Sequence, residues 1–443
     1  ALEKNQNIIS TWIVTEPDAI GSASINAASL RRTGLTPDGR YAAVFSREGP
    51  VIVGATIDDY ADPAQNGYYT IPLASSSPRV LKPYMDDLGD GKEVLMTSVA
   101  APIQVLGRSV GVIGVDIGGT KVAAALLRGR VPAAGARSSS EVETPEILDR
   151  FTVPTDTGSP EATLRSIEDC IATLEHDSAH VEGIGVGVAS MVDFAAGRIV
   201  ESVNLPLADV PLRDLLGERF DVPVVIDNDA TAAGIGEWVY GAGVGTSDMI
   251  MLTLGTGVGG GIVSGGRAVR GASGAAAELG HLIVDINGPK CPANCPNWGC
   301  LEVYASGPAM GAAARAAAEL EPESALGREL AAGRTVDSRV LTRLALDGDA
   351  GAVAVLERTG EYLGAGLVTL SNIFDPELFV IGGGAAAAGE LLLEPARRVL
   401  AARALPPARD RVRVMPAELG SDAGFIGAAA LALTELFPGD RGT

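Results

Sequence analysis

Twice along the chain an apolar run enters a glycine turn and is answered by a second apolar run. VGVIGVDI meets Gly118 and Gly119 before KVAAALL, and MIMLTL meets Gly255-Thr256-Gly257 before a glycine-rich strand ending in IVSGG. Short apolar runs closed by turn residues predict buried strands, so each pair predicts a strand–turn–strand hairpin. A third run, LFVI, ends at Gly382, Gly383 and Gly384 ahead of a helix. DVPVVIDNDATAAGIGEW predicts a strand passing directly into a helix, while 308–319 and 352–373 predict helices, the second amphipathic and buried. IEDCIATLEHDSAH predicts a polar helix that buries Cys170 and leaves His176 and His180 on its solvated face.

The first quarter has a different rhythm. YAAVFSREG, VIVGATIDDY, NGYYTIPLASSS and EVLMTSVAAPIQVLG alternate apolar and polar positions between turn residues, which predicts an antiparallel sheet. Five of the eight tyrosines and three of the five lysines precede residue 111, after which Ala, Gly, Arg and Leu dominate. The seam divides a β-rich segment, 1–109, from an α/β segment, 110–437; the tail 438–443 is expected to be disordered.

Charge narrows the partners. A chain of 443 residues with formal net charge −21 has ample length for large cores and lacks the basic footprint of a nucleic-acid binder. No apolar run approaches the ~20 residues that span a bilayer, and ALEKNQNIIS does not resemble a leader. The expectation is a cytoplasmic chain with no nucleic-acid or membrane partner.

The chemistry concentrates in ELGHLIVDINGPKCPANCPNWGCLE. Three of the four cysteines (Cys291, Cys295, Cys300) and one of three histidines, His281, fall there. Thiolates and a neutral imidazole are the donors that suit tetrahedral Zn²⁺, so a structural metal site is expected. At the first hairpin, Gly118 and Gly119 let backbone N–H groups approach phosphate, Thr120 and Lys121 add donors, and Asp116 is placed to hold Mg²⁺. Asn228 and Asp229 follow an apolar strand, where α/β sheets gather ligands; Asp229 could instead merely cap the helix.

The glycine-histidine pair followed by a cysteine cluster ending in GCLE resembles the signature of the ROK family, which comprises bacterial sugar kinases and related repressors. That resemblance implies zinc held by His281, Cys291, Cys295 and Cys300, with Glu278, His281 and Glu302 reaching sugar hydroxyls. Three residues separate Cys291 from Cys295, two more than in the C-x-C-G usual in that family. D-x-G-G-T-K is similar to the first phosphate motif of the actin, sugar-kinase and heat-shock ATPase superfamily, and is not a Walker A loop. By the same resemblance, Gly255, Thr256 and Gly257 form the second phosphate hairpin and Gly383 and Gly384 lie by the adenosine end of ATP. Asn228-Asp229 matches the catalytic pair, with Asp229, not Asp227, as general base. Asn204 matches the pocket asparagine, and Ala189 and Ser190 stand where Pro and Gly are usual.

The implied fold is α/β, a duplicated actin-like (ribonuclease H-like) ATPase fold in two lobes. The lobes would split near 228–235, with the last helices returning to the first. The implied reaction is Mg²⁺- and ATP-dependent phosphorylation of a hexose, glucose first, with N-acetylglucosamine and N-acetylmannosamine as alternatives, by a dimer or tetramer. A repressor is the rival, but that class carries an N-terminal helix-turn-helix and residues 1–109 are β-rich.

Those first residues resemble a Cache sensor domain, carried by NGYYTIPLASSS, VLKPYMDD and EVLMTSVAAPIQVLGRSVGVIGVDI. Such domains bind small ligands such as amino acids, which raises a sensing fusion that regulates the kinase. Both resemblances claim residues 111–117. Each backbone N–H and C=O is used once, so the strand is expected in the kinase sheet, leaving 1–109 without its last strand and marginal or partly disordered.

Overall fold

The computed structural model describes residues 10–14, 42–48, 51–56, 79–80, 84–87, 93–96, 99–100, 110–131, 138–175 and 181–437. His176, His180, the segment 66–77 and the tail lie outside them. The chain divides into two compact units, Ala1–Val105 and Leu106–Thr443.

In the first unit, β1 (Ser10–Val14), β2 (Ala42–Glu48) and β3 (Val51–Thr56) form an antiparallel sheet in that order. Two antiparallel pairs accompany it: β4 (Arg79–Val80) with β7 (Val99–Ala100), and β5 (Tyr84–Asp87) with β6 (Glu93–Met96).

The second unit begins with β8 (Val110–Ile117), β9 (Lys121–Gly129) and β10 (Glu146–Pro154), an antiparallel meander. Helix α1 (Pro160–Glu175) crosses to β11 (Gly183–Val188), parallel to β8. The strands β12 (Met191–Asp193), β13 (Arg198–Glu201) and β14 (Ala208–Val210) make a small antiparallel sheet, and α2 (Leu212–Phe220) leads into β15 (Val224–Asn228). The resulting order is β10-β9-β8-β11-β15. Strand β8 is paired along both edges, with β9 and β11, so the segment claimed by two resemblances sits in the centre of this sheet.

Helix α3 (Asp229–Tyr240) then connects to a second sheet with the same plan. Its first strands are β16 (Met249–Leu254), β17 (Val258–Ser264) and β18 (Arg267–Ala268). The helices α4 (Glu302–Ala305), α5 (Gly307–Leu320), α6 (Ala325–Ala331), α7 (Ser338–Leu346) and α8 (Ala350–Phe374) precede β19 (Leu378–Gly382). After α9 (Glu390–Arg403) and α10 (Ala408–Arg411) come β20 (Arg413–Pro416) and α11 (Ala423–Glu435). The order β18-β17-β16-β19-β20 repeats the first sheet, antiparallel on one side of the leading strand and parallel on the other. Two copies of one α/β lobe are the architecture.

Each sheet has its own core. In the first, Ile113, Val115 and Ile117 pack with Ile167, Cys170 and Ile171 of α1. In the second, Leu252 and Leu254 pack with Leu363, Leu367 and Phe379. Burying such side chains contributes about 1.5–3 kcal/mol each, which is what holds the amphipathic α8 in place. The last helix returns to the first lobe, where Phe425 and Leu433 join Val112 and Leu127. There α11 crosses α3 backbone to backbone: a methyl on Gly427 would lie 2.5 Å from the Ala232 carbonyl oxygen, and one on Gly236 2.8 Å from the Gly427 Cα.

Candidate active site

The end of β15 delivers two neighbouring carboxylates to different surroundings. Asp227 is 2% exposed, and both its oxygens are engaged: Oδ2 accepts from Arg270 Nε at 2.7 Å and Oδ1 from the Asn228 N–H at 2.9 Å. Asn228 caps α3, its Oδ1 accepting from the N–H groups of Ala230 and Thr231. The cap is therefore Asn228, and Asp229 is released from that duty. Asp229 Oδ1 accepts from Asn228 Nδ2 at 3.1 Å and from the Ala230 N–H at 2.9 Å. Burial pushes its carboxyl above the ordinary range, against those two hydrogen bonds.

The first hairpin lies beside it. Gly118 N–H donates to the Lys121 carbonyl at 3.0 Å, closing the tight turn between β8 and β9 with Thr120 and Lys121 exposed. Asp116, at the strand's end, is pushed up to about 6, first by burial and then by the negative charge of Asp229, with Lys121 opposing. A methyl on Gly119 would lie 2.9 Å from the Asn204 carbonyl oxygen, so this turn touches the exposed loop that carries Asn204. Glycine is required at that approach because any side chain would part the two loops.

From the second lobe come Glu278, His281 and Glu302. Burial raises the Glu278 carboxyl; His281 pulls it down and the charges of Asp229 and Glu302 push it up. Glu278 is therefore within electrostatic reach of His281, Asp229 and Glu302. Glu302 Oε2 accepts from the Val258 N–H at 2.9 Å, and a methyl on Gly257 would lie 2.5 Å from it. This carboxylate thus ties α4 to the Gly255-Thr256-Gly257 turn, whose Gly255 carbonyl accepts from the Gly307 N–H at 2.8 Å. Gly383 adopts φ +86 where it passes Leu254, bringing the third glycine turn, with Gly384 exposed, to the end of β16.

His281, Cys291, Cys295 and Cys300 place their donor atoms within 4.8 Å of one another. Cys295 Sγ and Cys300 Sγ are 3.9 Å apart, and Cys291 Sγ and His281 Nδ1 are 3.6 Å apart. A tetrahedral Zn²⁺ with Zn–S near 2.3 Å would set such edges at about 3.8 Å. All four cysteines are unpaired by disulfide, and the donor set fits a structural metal.

Two further residues shape the site from a distance in sequence. Arg270 holds Asp227 and so gives the two aspartates different surroundings; one of the two arginines in RAVRGASG, it carries no local signal. Glu237, fully buried in α3, accepts from the N–H groups of Ala242, Glu418 and Leu419 at 2.9, 3.1 and 2.8 Å. It pins the loop leading to Gly424, where a methyl would lie 2.4 Å from Asp116 Oδ2. A carboxylate inside the apolar run AAGIGEWVY was the available hint.

Residues 112–435 match the ROK family, and residues 1–123 match the methyl-accepting chemotaxis protein-like, first PDC sensor domain. The chain is 35% identical over 320 residues to a glucokinase of Halalkalibacterium halodurans, covering 71% of this chain and 92% of that protein. A crystal structure of a ROK family glucokinase from Streptomyces griseus in complex with glucose and AMPPNP superposes with a TM-score of 0.61 at 37% identity, covering 72% of this chain and 98% of that one. The xylose repressor of Bacillus spizizenii is 30% identical over 283 residues, 63% of this chain and 69% of the repressor. Among the described residues no helix is long and apolar enough to cross a membrane.

Proposed function

The chain belongs to the ROK family, and from that membership we propose that it transfers the γ-phosphoryl group of ATP to a hydroxyl of a hexose, glucose first. The observation that carries this reading is Asp229 at the head of α3, its Oδ1 held by Asn228 and Ala230, with its charge felt both by Glu278, alongside His281 and Glu302, and by Asp116 at the glycine hairpin. Two relatives named glucokinase support it, one of them matched over nine-tenths of its length and one bound to glucose and an ATP analogue. The repressor is matched over a smaller share of its own length, which favours the kinase.

A sugar hydroxyl is a weak nucleophile until a carboxylate accepts its proton. Asp229 Oδ1 is occupied by Asn228 and Ala230, so Oδ2 is the oxygen that would receive it. Asp227 cannot compete, being bound to Arg270. Glu278, His281, Glu302 and Asn204 would orient the hydroxyls, and the two N–H-rich hairpins at Gly118–Gly119 and Gly255–Gly257 would hold the phosphates. Asp116 would hold Mg²⁺, which neutralises charge on the transferring group. Zn²⁺ on His281, Cys291, Cys295 and Cys300 would keep the loop between Glu278 and Glu302 rigid, with no open position for chemistry. A cytoplasmic dimer or tetramer fits the reading.

The decisive experiment is ADP release with MgATP against glucose, mannose, N-acetylglucosamine and N-acetylmannosamine. Turnover is expected, strongest with glucose, and Asp229→Asn should lower kcat by about 10²–10⁴-fold with little change in sugar binding. Retention of more than about a tenth of kcat would reject Asp229 as the base. The match of residues 1–123 to a sensor domain favours one second reading, ligand control of the kinase. A shift in kcat on adding a panel of amino acids supports it; no shift with any removes it.

A further inference from the structure

Arg270 belongs to the second lobe, two residues beyond β18, and its chain is still held there by the Val269 N–H donating to the Ile262 carbonyl at 2.8 Å. Its guanidinium leaves that lobe. Nε donates to Asp227 Oδ2 at 2.7 Å, Nη2 donates to Glu435 Oε1 at 2.8 Å, and the group lies 3.6 Å from the centroid of the Phe194 ring. Those three partners sit on β15, on α11 and after β12, all in the first lobe. With the Arg270 side chain 17% and the Asp227 side chain 3% exposed, water cannot readily replace the pair.

The loop that follows stays docked. The Ala276 N–H donates back to the Arg270 carbonyl at 3.1 Å, and Gly274 passes so close to Val192 that a methyl would lie 2.2 Å from its carbonyl oxygen. The loop ends at Glu278. On the other side of the ion pair, Asp227 Oδ1 accepts from the N–H of Asn228, whose side chain touches Asp229. One guanidinium therefore stands between the two halves of the sugar site.

We propose that Arg270 is a positioning residue that holds the lobes in register and sets Asp229 against Glu278. This deepens the hexose-kinase reading and rests on it for its effect on turnover. Only arginine's planar fork can serve Asp227 and Glu435 together while stacking on Phe194; lysine's single ammonium cannot.

The test uses the full chain. Arg270→Met alone strands a buried carboxylate and can fail to fold, so the charge-free pair Asp227→Asn/Arg270→Met is made beside Arg270→Lys. Hydrogen–deuterium exchange is followed at 226–231 and 274–282, with kcat and KM for sugar and ATP. The pair should exchange at least about tenfold faster at both stretches, and its kcat/KM for sugar should fall by about 10–10²-fold with the ATP KM within about twofold, as expected when reacting groups drift by about an ångström. Arg270→Lys should fall between. Wild-type exchange at either stretch, or an unchanged sugar kcat/KM in an active enzyme, overturns the proposal. If the wild type phosphorylates no hexose, the kinase reading alone fails, and the exchange at the two stretches still decides whether Arg270 couples them.

Discussion

The negative charge of Asp229 helps hold the Asp116 carboxyl at about 6, second only to burial. An unfolded aspartate titrates near 3.9, so the native protein binds this proton more tightly than the unfolded chain does. The stability associated with protonated Asp116 is full below about 3.9, is lost as pH rises through about 6 and stays lost above it. Asp116→Asn removes the ionised charge. In the ligand-free protein it should raise Tm relative to wild type at pH 7.5 and much less at pH 5. An equal shift at both pH values would contradict this.

The candidate metal site makes a prediction about thiols. Mass spectrometry of the purified protein should find one zinc per chain. Cys291, Cys295 and Cys300 should react with a thiol reagent only after a strong chelator is added, while Cys170 stays protected in the first core. Chelation should also raise the sugar KM more than the ATP KM. Unchanged kinetics after verified metal loss would separate the ion from the sugar pocket.

Ala277 adopts φ +68, a left-handed conformation that costs an L-residue roughly 1–2 kcal/mol, immediately before Glu278. Glycine relieves that strain and returns part of the gain through its greater freedom when unfolded. Ala277→Gly should stabilise the protein by about 1 kcal/mol in denaturant melts. No gain, or a loss, would show that the side chain contributes packing there.

The α3–α11 crossing has no room for a methyl group. Gly427→Ala would press on the Ala232 backbone and should cost about 1–3 kcal/mol, seen as a Tm lowered by several degrees. A neutral result would mean the helices separate freely.

What could be read from the chain was local. The turns at Gly118–Gly119, Gly255–Gly257 and Gly382–Gly384 declare themselves because each is an apolar run meeting glycine. The candidate ligands His281 to Cys300 cluster within one loop, and the helices 307–320 and 350–374 match the predicted 308–319 and 352–373. Asp227 and Asp229 look alike in sequence; an arginine 43 residues away distinguishes them. Glu237 likewise acts on Glu418 and Leu419, about 180 positions on, at a separation no local pattern encodes. Asn228 as the cap, in place of Asp229, depended on side-chain direction.

Strand β8 also bears on how such a chain could arise. Its hydrogen-bonding edges are both consumed inside Leu106–Thr443, although residues 112–123 fit two families. A recombination that joined a sensor-like segment upstream of this strand would take no ladder partner from the β10-β9-β8-β11-β15 sheet. The junction is thus permissive for exchange: different input segments could be spliced onto residue 106 while the machinery downstream is inherited whole.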